Sequence, residues 1–192
     1  MKTSTKVWIG VAIVALLIVF WIIGGYNQFV GLDQNINSKW SEVENQYQRQ
    51  ADLIPNLVSI VSSSVKVETN FTLSIVQARA NYQTAQSQAA KDQAGVQMNN
   101  GIGAFVNAVA EAYPTLQANK QYVALTDELS GTQNRITVAR GNYITSIQAY
   151  NTATKVFPSN ILAKLFGFTG KDYYKADVNA IDTPQLGTGV LP

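Results

Sequence analysis

The sequence predicts an all-α protein with a single N-terminal transmembrane helix, an antiparallel four-helix bundle and a short C-terminal helix. One long apolar stretch lies near the N-terminus. Beyond it, apolar residues recur at spacings of three and four as far as residue 157, and no stretch sustains the alternation of a strand. The predicted segments are a basic flank (1–6), a transmembrane anchor (7–25), the bundle (26–157), a short helix (158–168) and a poorly ordered tail (169–192).

The composition of the chain excludes several classes of function. Charged residues make up only 14% of the 192 residues, against about 25% in an average soluble chain. The chain has no cysteine and no histidine, so it forms no disulfide, thiol nucleophile or imidazole or thiolate metal site. The formal charge of +2 lies on Lys2 and Lys6, and the remaining 12 basic and 12 acidic residues balance. We therefore expect no metal, no cofactor, no enzymatic activity and no nucleic-acid partner.

The apolar stretch from Val7 to Ile23 has the features of a transmembrane helix. Its 17 consecutive residues include no charged or strongly polar group, and Trp8 to Tyr26 would span about 27 Å of a hydrocarbon core of roughly 30 Å. Trp8, Trp21 and Tyr26 lie near its ends, where amphipathic rings prefer the headgroup level. The alternative is a cleaved signal peptide, which would have a shorter apolar region followed by a small-x-small cleavage site.

The basic residues around this stretch predict its orientation. Lys2 and Lys6 precede it, and the first basic residue after it is Lys39. The positive-inside rule then puts the N-terminus in the cytoplasm and the body outside it. We expect a single-pass protein of the bacterial cell membrane.

Helix lengths favour one of two paths through the bundle. A first helix over about 26–66 would rise roughly 61 Å, and a last helix over 119–157 would descend roughly 58 Å, with shorter helices over 70–88 and 92–112 between them. The alternative turn at Asp52 leaves a 36 Å first helix beside a 54 Å second helix, both rough lengths, so we favour a long helix kinked at Pro55. A heptad seam supports the last helix, with large residues at one position (Tyr122, Leu129, Ile136, Tyr143, Tyr150 and Phe157) and Leu125, Thr132, Ala139, Ser146 and Ala153 at the other.

The segment from Phe157 to Phe168 is the candidate functional site. Pro158 ends one helix, Ser159 is positioned to cap a short new one, and Gly167 to end it. Apolar groups with a lysine beside them suit a helix lying in the headgroup region. The alternative is that these aromatic residues are core at the end of the bundle. The predicted lipid-contacting residues are Phe157, Ile161, Leu162, Leu165, Phe166, Phe168 and Lys164.

Other residues offer only weak signals of chemistry. Ser63 and Lys66 match an S-x-x-K spacing, but no companion motif follows. Adjacent Asp127 and Glu128 point to different helix faces and form no carboxylate dyad. A further set of polar residues lies near the predicted seams, where we expect networks that fix helix register, or alternatively an interface with another protein. This set is Arg49, Asp52, Asn56, Arg79, Asn134 and Arg135.

Several motifs in this order resemble the LemA family of bacterial membrane proteins over nearly the whole chain. They follow the N-terminal span as Tyr26-Asn27, WSEVE (40–44), RQADLIPNL (49–57), ARA (78–80), YPTLQAN (113–119), QNRI (133–136), YNTA (150–153) and the 157–168 segment. The resemblance implies a single-pass, membrane-anchored helical bundle without an established reaction. Two departures are Gln50, where the family usually has a second basic residue, and Gln133, where it usually has an acidic one.

These observations lead to a leading function and its rivals. The resemblance links some family members to membrane shaping or organelle biogenesis and others to membrane proteases. We expect a non-enzymatic scaffold that forms homo-oligomers on the lipid bilayer and organises or remodels it, because a neutral body offers little repulsion between copies. The alternative is an adaptor for a membrane-protein partner, such as a protease or transport complex. An enzyme that uses Lys66 is a third hypothesis.

Overall fold

A computed structural model describes residues 3–65 and 69–173 of the chain, with side chains for 6–65 and 72–173. Five α-helices and one 3-10 turn account for nearly all of these residues, and the described ranges contain no strand, which confirms the all-α fold class. The elements are α1 (Thr3–Ser64), α2 (Thr69–Thr84), α3 (Gln88–Ala112), a 3-10 turn (Pro114–Ala118), α4 (Lys120–Lys155) and α5 (Ser159–Phe166).

Helix α1 joins the apolar stretch and the first predicted bundle helix into one element of 62 residues. It continues through Asp52 and Pro55, so the alternative turn at Asp52 is wrong and the long first helix is confirmed. Lys66, the residue on which the enzymatic hypothesis depends, lies outside the described residues.

A side chain from α2 compensates for the proline inside α1. Pro55 has no N–H to donate to the carbonyl of Ala51, four residues earlier, and Ala51 is fully buried. Arg79 donates its Nε–H to that carbonyl at 2.9 Å. Nearby, the Tyr82 hydroxyl donates to the carbonyl of Glu44 at 3.2 Å. Two side chains of α2 thus bind the backbone of α1, and the Arg79 bond satisfies the acceptor that Pro55 leaves open.

The chain divides into two compact units. The terminal unit comprises residues 1–33 and 144–192, and the central unit comprises residues 34–143. Helix α1 contributes residues to both units, and so does α4.

The core of the central unit follows the predicted periodicities. The large positions of the α4 seam, Tyr122, Leu129 and Ile136, are all at most 3% exposed, and Thr132 is fully buried. They pack with a row of fully or nearly fully buried α1 residues: Val43, Tyr47, Ala51, Ile54, Leu57 and Val61. Helix α3 adds Met98, Ile102, Phe105 and Val109 to the same cluster. The heptad pattern therefore identified the buried face of α4 within this unit.

Contacts within the central unit give the relative directions of its helices. In the contacting pairs between α1 and α3, the residue numbers rise on both helices, so these two helices run in the same direction. In the pairs that α1 forms with α2 and with α4, the numbers rise on α1 while they fall on the other helix, so α2 and α4 run opposite to α1. The pairs for α3 are Glu44 with Lys91 and Gln50 with Asn99, and those for α4 are Trp40 with Tyr143 and Arg49 with Glu128.

Side-chain hydrogen bonds define where two helices, α3 and α4, begin. Ser87 caps α3 by accepting from the Ala90 amide at 3.1 Å, and Asn119 caps α4 by accepting from Gln121 at 2.9 Å and Tyr122 at 3.2 Å. The predicted Ser159 cap is wrong. Ser159 is the first residue of α5, and its hydroxyl donates to the Ala153 carbonyl at 2.7 Å, because the last carbonyls of α4 lack amide partners.

We expect the Arg79 hydrogen bond and Pro55 to be energetically coupled. Arg79→Met leaves the Ala51 carbonyl without a donor and should lower the free energy of unfolding by about 1–3 kcal/mol. In a Pro55→Ala background the new amide N–H can bind Ala51, so the same substitution should be less destabilising. Denaturant unfolding of the four proteins, followed by circular dichroism, measures the coupling. An equal loss in both backgrounds would contradict this assignment.

Candidate membrane interface

The first part of the candidate membrane interface is the apolar stretch of α1, from Val7 to Ile23. It is the one helical stretch in the described residues that is long and apolar enough to cross a membrane, and none of it is buried. Trp8 is 71% exposed, while Trp21 and Tyr26, near the other end, are exposed by 41% and 43%. A helix with apolar groups exposed all round is stable where its surroundings are also apolar.

Helix α5 packs on α1 at the end of this stretch. A Cβ atom at Gly25 would lie 2.2 Å from Cδ1 of Leu162, so the absence of a side chain lets α5 approach this closely. Leu162 is 1% exposed as a result. The Tyr26 ring lies edge-on to the Phe166 ring, with their centroids 5.1 Å apart. The sequence drew attention to Tyr26 as an anchor but gave no sign of the role of Gly25.

The predicted lipid-contacting residues, in α5 and on either side of it, divide into a buried and an exposed group. Leu162 and Phe168 point inwards: Leu162 meets Gly25, and the half-buried Phe168 stacks on Phe29 with centroids 4.7 Å apart. The remaining five predicted residues are exposed on the described surface: Phe157, Ile161, Lys164, Leu165 and Phe166. Ile161 and Leu165 lie four residues apart on α5, and Phe157 lies two residues before α5 begins; we call these three residues the α5 face. Phe157 lies beyond the end of α4, and this explains why it leaves the buried seam to which its spacing assigned it.

The segment after α5 is bound back to α1 and α4. Gly167 ends α5 in the left-handed conformation, as predicted, with a φ of 75°. Asn151 of α4 then accepts from the backbone N–H of Lys171 and donates to its carbonyl, both at 2.7 Å. The Lys171 ammonium group forms an ion pair with Asp33 of α1. No periodicity in the sequence signals these contacts.

A buried polar cluster lies in the core of the central unit, apart from the membrane interface. Asp92 of α3 is 4% exposed and accepts from the Tyr47 hydroxyl at 3.5 Å, with Nε of Arg140 4.0 Å away. Burial raises the pKa of Asp92 to about 6, although Arg140 and the Tyr47 hydrogen bond both act to lower it. The Tyr47 ring has room because of Gly95, where a Cβ atom would lie 2.7 Å from the ring.

Most of the other polar candidates lie on the surface rather than in the core. Arg49, Asp52, Asn56, Asn134 and Arg135 are exposed, because they flank the buried seams rather than lie on them. Glu128 forms ion pairs with Arg49 at 2.6 Å and Arg135 at 3.0 Å, and only Arg79 of this set is half-buried. Arg79 and Arg49 therefore each link α1 to another helix, and of the two only Arg79 does so away from the surface.

Comparison with known proteins identifies the family. The LemA family model matches residues 39–186, which is more than half of the chain. The chain belongs to the LemA family. Among LemA-family relatives, it is 27% identical to magnetosome proteins MamQ 1 and MamQ 2 of Paramagnetospirillum magneticum over 199 aligned positions, covering 87% of this chain and 72% of each relative. MamQ of Magnetospirillum gryphiswaldense is 26% identical with the same coverage.

Family membership and the apolar stretch of α1 agree on a coarse assignment. The MamQ relatives come from bacteria and are named as magnetosome proteins. Together with the exposed apolar helix, they indicate that this LemA protein is membrane-associated. Of the two departures from the family pattern, Gln50 is fully buried and donates to Asn99 at 2.8 Å, whereas Gln133 is exposed. A neutral amide pair therefore occupies this buried position.

We expect Gly25→Ala to weaken the packing of α5. The new methyl group would overlap Leu162, and overpacking of this kind typically destabilises by about 1–3 kcal/mol. Amide hydrogen exchange in residues 162–166 should therefore become faster. Gly24→Ala is the matched control, because a Cβ atom at Gly24 meets nothing within 4 Å. Unchanged protection in Gly25→Ala would show that α5 does not depend on this contact.

The raised pKa of Asp92 predicts a pH dependence of stability. Because the folded-state pKa of about 6 exceeds the ordinary value of 3.8, the folded state binds the proton more tightly. The stabilisation from this proton is complete below about pH 4 and is lost as the pH rises through 6, amounting to about 3 kcal/mol.

Urea unfolding of the wild type and Asp92→Asn at pH 4 and pH 7.5 measures this effect. The wild type should lose stability relative to Asp92→Asn between the two pH values. Asp127→Asn makes the same chemical change at an exposed position and should show no such loss. A constant difference between wild type and Asp92→Asn at both pH values would rule out the assignment.

Proposed function

We propose that this LemA protein is a single-pass, membrane-anchored scaffold whose terminal unit lies at the bilayer surface. The apolar stretch of α1 is the anchor, with the N-terminus in the cytoplasm and the body outside it. The α5 face (Phe157, Ile161 and Leu165) lies in the headgroup region of the same bilayer. The central unit is an antiparallel four-helix bundle that self-associates with other copies and thereby organises or shapes the membrane.

One observation carries the proposal: an exposed apolar surface continues from the apolar stretch of α1 onto α5. Phe157 is 80% exposed, Leu165 66% and Ile161 50%. In water, these three large apolar side chains would each forgo the gain of burial, about 1.5–3 kcal/mol per fully buried side chain. Contact of Leu162 with Gly25 and of Phe166 with Tyr26 holds this surface beside the end of the stretch. A bilayer that surrounds the stretch can therefore also cover the α5 face.

The directions of the helix contacts in the central unit support the bundle. Helices α2 and α4 run opposite to α1, and α3 runs with it, as in an up-down-up-down arrangement. Their shared core includes residues from all four helices.

The surface of the central unit supports association between copies. Several carboxylates there are neutralised by neighbouring cations, including Glu42, Glu44 and Glu128. Little repulsion therefore opposes contact between copies. Helices α1 and α4 also border a shallow groove in which Val138 is 64% exposed. A second copy that fills this groove would cover the valine.

Site-directed spin labelling tests the membrane position of α5. The chain has no cysteine, so Phe157→Cys, Ile161→Cys and Leu165→Cys each provide one labelling site. In lipid vesicles containing the full-length chain, we expect these labels to be accessible to oxygen dissolved in the lipid and shielded from a water-soluble nickel chelate. A face that lies in the interface is buried by about 5–10 Å.

Leu73→Cys is the matched control for a water-facing position. Leu73 is 58% exposed, close to the 66% of Leu165, but lies in the central unit, so its label should be accessible to the nickel chelate. If labels on the α5 face were as accessible to the chelate as the label at 73, the proposed membrane contact of α5 would be wrong.

A further inference from the structure

The charged residues within α5 and just before Phe157 are lysines, Lys164 and Lys155. From residue 129 to residue 171 the chain has no Asp or Glu, but it has five basic residues. Three of these, Lys155, Lys164 and Lys171, belong to the terminal unit. A stretch of 43 residues without a carboxylate is long for a protein whose overall charge is nearly balanced. The terminal unit therefore presents positive charge beside an apolar surface.

Two of the three lysines are available to a ligand. Lys171 forms an ion pair with Asp33 and lies over the ring of Tyr150, so it is engaged within the protein. Lys155 and Lys164 are exposed and form no ion pair with any residue that the structure describes. Lys155 precedes Phe157 by two residues, and Lys164 lies between Ile161 and Leu165 in α5. Both lysines are therefore close neighbours of the α5 face along the chain.

We propose that the α5 face and the two lysines beside it select anionic phospholipids, whose headgroups bind Lys155 and Lys164. This inference rests on the proposed position of α5 in the headgroup region. Lysine side chains at such a depth extend along the apolar surface and place their ammonium groups at the level of the lipid phosphates. Each lysine near an anionic surface contributes about 1 kcal/mol, which corresponds to about a fivefold preference for an anionic over a neutral headgroup.

The position of the two lysines has a second physical consequence. Both lie in the last turn of their helices, where a positive charge also stabilises the helix dipole. That effect changes helix stability but does not depend on the lipid. A measurement of lipid preference therefore separates the two roles.

Energy transfer from Trp21 to a labelled lipid measures the preference directly. The full-length chain with Trp8→Phe and Trp40→Phe keeps Trp21 as its one tryptophan, close to the α5 end of the apolar stretch. It is reconstituted in phosphatidylcholine vesicles that contain a trace of dansyl-labelled phosphatidylglycerol or dansyl-labelled phosphatidylcholine. We expect stronger transfer to the phosphatidylglycerol probe, with about a fivefold loss of preference for each of Lys155→Gln and Lys164→Gln.

Matched variants separate this effect from general electrostatics and from unfolding. Lys120→Gln removes an exposed lysine of the central unit and should leave the preference unchanged. Lys155→Arg with Lys164→Arg keeps both charges and should retain the preference. High salt should weaken the preference of the wild type.

The outcomes distinguish this inference from the proposed function beneath it. Equal preference in the wild type and in the two glutamine variants, with spin labels on the α5 face still shielded in lipid, would overturn the lipid selectivity alone. Spin labels exposed to water would overturn the proposed function as well. A preference lost in both the glutamine and the arginine variants would assign the effect to local structure and would also overturn the selectivity.

Discussion

The continuity of α1 depends on one hydrogen bond from outside the helix. Pro55 deprives the buried Ala51 carbonyl of its normal donor, and a buried carbonyl left unpaired costs about 1–3 kcal/mol. The Nε–H of Arg79 replaces the missing donor at 2.9 Å. Helix α1 can therefore include a proline near its C-terminal end and still extend from Thr3 to Ser64. The motifs around Pro55 and Arg79, separated by more than 20 residues, are in this sense one structural unit.

A continuous α1 combines two structural roles in one helix. Its first part is the exposed apolar stretch, and its second part supplies a row of core residues to the central unit. Between them, Gly25 allows Leu162 to approach the helix backbone, so that α5 lies beside the last turns of the apolar stretch. Asn151 and Asp33 then bind Lys171 and hold the segment after α5. The surface that we assign to the membrane is therefore built from residues far apart in sequence.

The apolar periodicity and the helix-breaking proline and glycine residues predicted much of this fold. The seam of α4, the long first helix and the end of α5 at Gly167 follow from spacing and from backbone preference. The Arg79 bond, the Gly25 contact and the Lys171 contacts did not, since each joins residues whose proximity only the folded chain creates. The prediction of the site was incomplete for the same reason. Spacing identified the apolar residues of α5, but the close approach at Gly25 decides that Leu162 faces inwards and Ile161 outwards.

Electron cryotomography of lipid vesicles containing the full-length chain tests the scaffold function most directly. A scaffold should form regularly spaced assemblies of the central unit on the bilayer, with changed curvature beneath them. A truncated protein that starts at Asn27 lacks the anchor and should form no such assemblies on the same vesicles. Single, randomly spaced copies of the full-length chain on undeformed vesicles would contradict the scaffold and would favour an adaptor that acts through a membrane-protein partner.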